Sequence, residues 1–324
     1  MCAQAPGYNG PVWTLQGMSH RILITDGLAE NGLALLRQQA EVIQSAGLNG
    51  LGSVDALVVR SRTTVSREVL AAASPQLRVV GRAGVGVDNI DLQAARELGV
   101  TVVNSPVAMT AAVAELTLAL MLSLARRVPQ AHASLQRSEW LKAEFYGVQL
   151  QGKTLGVIGV GRIGSAVAGL ATALGMQVLG HDPILAPATL RQRGVEPVDL
   201  EALLARSEFI TLHVPLNDQT REMINADHLA LARPGAFLVN TSRGAVVDEP
   251  ALLQALESGR LAGAALDVFH REPPGDDPLL RHPNVVATPH IAAQTVEAQQ
   301  QTALDIASEV LAALRGDPLR WRVA

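Results

Sequence analysis

The sequence predicts an α/β protein made of two doubly wound parallel sheets in tandem. Three observations carry that reading. From His20 onward, short β-branched runs alternate with helical patterns, as strand–helix–strand crossovers require. The runs are apolar throughout instead of alternating with polar residues, as strands buried on both faces must be. The chain has 324 residues, enough for two domains of ~150 each.

In the first unit, strands are read at Arg21 to Thr25, Ala56 to Arg60, Leu77 to Gly81 and Val100 to Asn104. Helical patterns run through Leu33, Leu36 and Gln39, then over Val65 to Ala73, then over Asp91 to Gly99. A long apolar helix from Thr110 to Arg127 opens the second series. Its strands are Thr154 to Gly159, Met176 to Asp182, Phe209 to Val214, Ala236 to Asn240, Gly263 to Val268 and Val285 to Pro289. The last helix, Gln294 to Arg315, is too short to be a domain and must pack on one of the two units. A return to the first would leave that unit discontinuous.

Composition narrows the function. Apolar residues make up 48% and charged residues 17%, which excludes intrinsic disorder. With 3% aromatics, the core must be built from Ala, Val, Leu and Ile. A net charge of −4 with no basic stripe argues against a nucleic-acid partner. Cys2 is the only cysteine, so neither an internal disulfide nor a Cys-rich zinc site is available, and no metal is expected. The most apolar stretch, Met109 to Ala125, is interrupted by Thr110, Glu115, Thr117 and Ser123 and reads as a buried helix, not a membrane span. Residues 1–19 carry no basic residue and no signal-peptide core and read as a flexible leader, with Met18 an alternative start. A cytoplasmic location is expected.

Gly159, Gly161 and Gly164 match G-x-G-x-x-G, with Val160, Arg162 and Ile163 between them. The context makes the match specific: a strand runs in, a helix through Val167, Leu170 and Leu174 runs out, and another strand follows. The first glycine permits the tight turn, the second lets backbone approach a pyrophosphate, and the third allows close helix–strand packing. Asp182 ends the next strand, where an acid accepts the ribose hydroxyls and repels a 2′-phosphate. Pro183, Ile184 and Leu185 supply no base to offset it, so NAD is the predicted dinucleotide.

Three further groups stand beyond predicted strand ends: Arg243, Glu272 and His290. Ligands of open parallel sheets bind at those ends. Histidine suits proton transfer near neutral pH, a carboxylate can fix its tautomer, and a guanidinium matches a substrate carboxylate. Taken singly, each has another reading: a hydrogen-bonded core histidine, a surface ion pair, a helix-terminus acid.

Together they resemble a family. The D-isomer-specific 2-hydroxyacid dehydrogenases carry V-N-x-x-R-G, here Val239 to Gly244; D-V-F-x-x-E-P, here Asp267 to Pro273; and P-H-I, here Pro289 to Ile291. The resemblance covers roughly residues 20 to 315. It implies that Arg243 binds the substrate carboxylate, that His290 is the acid–base and that Glu272 orients it. It places Asp267 near the nicotinamide carboxamide, and Thr241 and Val214 near the cofactor. It also implies a cofactor domain, 105–290, inserted in a smaller substrate domain, 20–104 with 291–324. Members form dimers or tetramers through the cofactor domain, which would make Met109 to Ala125 an interface.

The first unit points to the substrate. Arg60, Arg62 and Arg82 add cations suited to a phosphate at C3, Lys142 adds another from the second unit, and backbone N–H groups from Gly84 to Gly86 can share the carboxylate. Separately, the segments Val58 to Thr63 and Val80 to Asp91 most resemble those of the family members acting on 3-phosphoglycerate. Met109 departs from that resemblance, standing where those members often have asparagine, and leaves a hydroxypyruvate or glyoxylate reductase as the alternative. An NAD-sensing corepressor shares the motifs and stands further off. With the chain ending at Ala324, no regulatory domain is expected.

Overall fold

The structure, a computed structural model, describes residues 20–324; the expected leader lies outside the described residues. It divides into two compact units, one of residues up to 105 together with 302–324, the other of residues 106–301.

The first unit holds β1 (Arg21–Ile24), α1 (Glu30–Arg37), β2 (Glu41–Gln44), β3 (Ala56–Val59), α2 (Arg67–Ala73), β4 (Val79–Arg82), α3 (Leu92–Glu97) and β5 (Thr101–Asn104). Its strands are all parallel in the order β2-β1-β3-β4-β5. The period of two along β1 sends Leu23 to one face, with Leu57, Leu70 and Val80, and Ile22 and Ile24 to the other, with Leu36, Ile306 and Val310. Helices thus cover both faces.

The second unit opens with α4 (Thr110–Arg126) and α5 (Val128–Gln136). There follow β6 (Thr154–Ile158), α6 (Arg162–Ala173), β7 (Gln177–His181), α7 (Pro187–Gln192), β8 (Glu196–Pro197), α8 (Leu200–Arg206) and β9 (Phe209–Leu212). The unit continues through α9 (Ala226–Leu231), β10 (Ala236–Asn240), α10 (Glu249–Glu257), β11 (Leu261–Leu266), α11 (Pro278–Arg281), β12 (Val285–Ala287) and the start of α12 (Val296–Arg315). The sheet runs β12-β11-β10-β9-β6-β7-β8, the strand order of a Rossmann dinucleotide-binding fold extended by one strand. Its order reverses between β6 and β9, which is where such folds bind ligand.

Caps set the helix starts. Asp91, Asp199, Asn225 and Asp248 each accept a first-turn N–H, at 2.8, 2.7, 3.1 and 3.0 Å. The start of α6 differs: its cap is Gly161, and no side chain occupies its first-turn amides.

Several expectations need correction. The sequence reading omits β2 and β8, both sheet edges; β2 is half-exposed with polar ends and β8 is two residues long, so neither shows an apolar run. The strand read from Leu77 starts at Val79 and runs on to Arg82. The return to the first unit falls inside α12, at Thr302 and not at residue 291, because the turn after β12 is tied to the second unit through Asp267. The buried helix expected over Met109 to Ala125 is present: Leu118, Leu120, Met121 and Leu124 of α4 belong to the core of the second unit, and α4 packs against α6. Among the described residues no helix is long and apolar enough to cross a membrane.

Candidate active site

The phosphate-binding turn is built as the glycine spacing requires. Gly159 leaves β6 at φ +87°, and a Cβ there would meet the His213 carbonyl oxygen at 2.6 Å and the Val214 side chain at 2.8 Å. A Cβ on Gly164 would collide with the Gly159 carbonyl, so this glycine lets α6 lie against the strand end. At Gly161 a Cβ meets nothing within 4 Å. That open face, in front of uncapped helix amides and at the switch point of the sheet, is the cradle a diphosphate fits. Arg162 and Ile163 form the first turn of α6 beside it.

Asp182 follows β7. Its Oδ2 accepts the Val160 N–H at 3.0 Å, and its Oδ1 accepts those of Ile184 at 3.0 Å and Leu185 at 3.2 Å. The carboxylate is therefore fixed beside the turn, next to a cavity of about 340 Å³ lined by His181, Leu185, Arg191 and Val198 among others. Arg191 on that wall is a base the local sequence did not show, since it arrives from α7. The guanidinium of Arg193 reaches the Val160 carbonyl on the turn. Val214 lies against Gly159 at the end of β9, and the buried Thr241 shares a 3.0 Å hydrogen bond with the Thr117 hydroxyl of α4. His213, between β9 and Val214, has its pKa lowered to about 3 by burial and stays neutral.

The trio is assembled by the loops after β10, β11 and β12. Asn240, buried at the end of β10, accepts the Ser242 N–H at 3.0 Å and hydroxyl at 2.8 Å, and donates to the Arg243 carbonyl at 2.9 Å. Its side chain thereby shapes the Arg243 loop, a role the motif alone did not disclose. Gly244 lies so close to the Phe269 backbone that a Cβ would overlap it, which brings the Arg243 and Glu272 loops together.

Glu272 Oε2 accepts His290 Nδ1–H at 2.7 Å, and its Oε1 accepts the Phe269 N–H at 3.2 Å. Burial alone would raise the Glu272 pKa. The hydrogen bond and charge of His290, the Phe269 N–H and the charge of Arg243 outweigh it and hold the carboxyl below its ordinary range. With Nδ1–H committed to a carboxylate, Nε2 is the ring nitrogen able to accept a proton.

His290 itself sits at φ +53°, a conformation rare outside glycine. Asp267 maintains it. Its carbonyl accepts the His290 N–H at 2.8 Å, while its carboxylate accepts the Thr288 hydroxyl at 2.6 Å and the N–H groups of Ile291 and Ala292, each at 2.8 Å. The Asp267 side chain is fully buried with both oxygens engaged, so the structure gives it the task of building the histidine turn.

In the first unit, Arg60 and Arg62 lie on the loop after β3, and Arg82 ends β4 with its guanidinium on the Ala83 carbonyl at 3.2 Å. Burial lowers the Arg60 pKa; Asp26 opposes that shift and Arg62 adds to it. Gly84 is buried, its carbonyl accepting the Ser105 N–H at 3.0 Å. In the second unit, Lys142 is exposed, and Met109 is buried at the N-terminus of α4 with no side-chain polar atom to offer.

Comparisons with known proteins agree with this geometry. The chain is 48% identical over 304 residues to D-3-phosphoglycerate dehydrogenase of Methanocaldococcus jannaschii, covering 92% of this chain and 58% of that protein. It thus spans little more than half the length of the curated relatives it matches. Among solved structures, a protein of Thermus thermophilus superposes with a TM-score of 0.87 at 36% identity, covering 94% of this chain and 100% of that one. A glyoxylate reductase from Paecilomyes thermophila gives a TM-score of 0.87 at 30% identity, covering 94% and 98%. Residues 118–292 match the family described as D-isomer specific 2-hydroxyacid dehydrogenase, NAD binding domain, and NAD is the cofactor the Gly159–Gly164 turn fits. The chain belongs to the D-isomer specific 2-hydroxyacid dehydrogenase family.

Proposed function

We propose that the protein is an NAD-dependent D-2-hydroxyacid dehydrogenase whose substrate is D-3-phosphoglycerate, oxidised to 3-phosphohydroxypyruvate as the first step of serine synthesis. The observation that carries the reading is the His290–Glu272 pair at 2.7 Å with the Arg243 charge acting on the same carboxylate, on loops of the dinucleotide-binding sheet. NAD, held at the Gly159–Gly164 turn with Asp182 on its ribose, supplies the hydride acceptor. The protein does the rest. Arg243 holds the substrate carboxylate and polarises C2. Nε2 of His290 takes the proton of the C2 hydroxyl, and Glu272 stabilises the resulting imidazolium. Asp267, through the turn it builds, keeps that imidazole in place.

The choice of substrate is supported by the relatives' names and by the arginines of the first unit, of which Arg60 and Arg82 are assigned to the phosphate and Gly84 to the carboxylate. Buried Met109 favours the second reading, a hydroxypyruvate or glyoxylate reductase. The same proposal includes a cytoplasmic location and a homodimer or homotetramer joined through the second unit. Supporting the latter, Val107, Leu122, Val128, Leu135, Trp140 and Tyr146 stand exposed along one stretch, the last two at 81% and 87%.

A turnover panel tests all of this: 3-phosphoglycerate, glycerate and lactate forward, 3-phosphohydroxypyruvate, hydroxypyruvate and glyoxylate in reverse, each with NAD(H) and NADP(H). The expected result is the highest kcat/KM for the phosphorylated pair with NAD(H). Equal kcat/KM for glyoxylate would replace the reading by the reductase, and equal use of NADP(H) would show that Arg191 offsets Asp182.

A further inference from the structure

The first sheet has its own switch point, between β1 and β3, where the strand order turns outward in both directions. Asp26 follows β1 and the Arg60–Thr63 loop follows β3, so both stand at the carboxyl ends of the two strands that flank it. Two side chains grip this loop from opposite sides. Asp26, 9% exposed, accepts through Oδ2 the backbone N–H of Arg60 at 2.7 Å and of Thr63 at 3.1 Å, and through Oδ1 the Thr63 hydroxyl at 2.8 Å. Asn89 donates from its amide nitrogen to the carbonyls of Arg60 at 2.8 Å and Thr63 at 2.6 Å. The N–H and the C=O of the same two residues are therefore held by side chains outside the loop, with Ser61 and Arg62 between them.

The backbone around Asn89 is tied in as well. Val65 N–H donates to the Asn89 carbonyl at 2.7 Å, and Asp91 N–H donates to the Val65 carbonyl at 2.9 Å. The arginine loop and the segment after Gly84 are thus fastened into one piece. The electrostatics agree with the geometry. Burial lowers the Arg60 pKa, the buried Asp26 charge opposes that shift, and the charge of Arg62 on the same four-residue loop adds to it. A loop with no ladder of its own would otherwise sample many shapes, and each would point Arg60 elsewhere.

We infer that Asp26 and Asn89 are positioning residues that set specificity at the far end of the substrate, by fixing the Arg60–Thr63 loop in the shape that offers Arg60 to an anionic group. The inference rests on the proposed function, in which that group is the C3 phosphate. Neither residue touches the reacting atoms, so their effect belongs in KM for the phosphorylated substrate and not in kcat.

The test compares Asn89→Ala, Asp26→Asn and Asp26→Ala in the full chain on 3-phosphohydroxypyruvate and hydroxypyruvate, with amide exchange at Arg60 and Thr63 as a second readout. Asn89→Ala is expected to raise KM for the phosphorylated substrate about tenfold or more, with kcat within about threefold, so that the preference over hydroxypyruvate narrows. Exchange at the Arg60 and Thr63 amides is expected to quicken. Asp26→Asn keeps an oxygen able to accept both N–H groups and should retain most of the preference that Asp26→Ala loses. KM values raised by one factor for both substrates, or kcat lost on both, would make the clamp merely structural and overturn the inference. Unaltered exchange and KM in Asn89→Ala would overturn it too. Equal kcat/KM of the unmodified chain on the two substrates is a separate failure: it refutes the proposed substrate, and the specificity role falls with it, whatever the exchange data show.

Discussion

His290 combines two constraints that a sequence motif cannot display, a left-handed backbone and a carboxylate on Nδ1. Both bear on its chemistry. His290→Asn is expected to lower kcat about 10²–10⁴-fold, the usual worth of a positioned acid–base group, with little effect on NAD affinity. Glu272→Gln keeps the shape and removes the charge. The Glu272 carboxyl lies below its ordinary range in the folded protein, so its partnership is fully present above the unfolded carboxylate pKa and is lost only as the pH falls through the depressed value. Through neutral pH the wild-type carboxylate therefore stays ionised and accepts the Nδ1–H of His290. In Glu272→Gln that anion is gone, and the pH–rate profile of the oxidation should move to lower pH, with kcat reduced. A His290 variant with full turnover, or a Glu272→Gln profile superimposable on wild type, would place the proton transfer elsewhere.

At the scale of elements, the strand–turn–helix from β6 to α6 shows how glycines with the same spacing do different work. Gly164 is a packing glycine, because a Cβ there overlaps the Gly159 carbonyl. Gly161 is a ligand glycine, because a Cβ there enters open space where a diphosphate would lie. Gly164→Ala should therefore lower both Tm and NAD affinity, since α6 must move off the strand. Gly161→Ala should leave Tm within a degree or two and weaken NAD at least tenfold, a separation that thermal melts and NADH fluorescence titration can read. If Gly161→Ala binds NADH as wild type does, the phosphates do not approach the turn on that side. The same element scale explains why this motif was legible: the turn chemistry is local, and all three glycines lie within six residues of one another.

Over the whole molecule, the first unit is closed by the end of the chain. After α12, Asn104 N–H donates to the Trp321 carbonyl at 3.2 Å, and Val102 N–H donates to the Ala324 carbonyl at 3.0 Å, so the tail covers the free edge of β5. Glu309, 2% exposed, fastens it by accepting the N–H groups of Arg320 at 2.9 Å and Trp321 at 3.1 Å and the Arg320 guanidinium at 2.9 Å. Deleting residues 320–324 strands a buried carboxylate and reopens the sheet edge. Losing several such hydrogen bonds, at about 1–3 kcal/mol for each group left unsatisfied, should lower Tm by several degrees. An unchanged melt would mean that the tail adds nothing to the first unit.

The sequence by itself determined the two parallel sheets and the dinucleotide turn, and it singled out Arg243, Glu272 and His290 as the trio now proposed for catalysis. Each rests on signals a few residues long: apolar runs at Arg21–Ile24 or Phe209–Leu212, a glycine spacing, and three short motifs. What it missed were the edges β2 and β8, whose half-exposure erases the apolar run, and the place where α12 changes allegiance, which depends on contacts 24 and 25 residues back to Asp267. Only the tertiary structure decided what Asn240, Asp267, Asp26 and Asn89 do. Each is a polar side chain whose partners are backbone groups of a loop, and a side chain that shapes a loop has no periodicity of its own. Its role exists only once the chain has brought the loop to it.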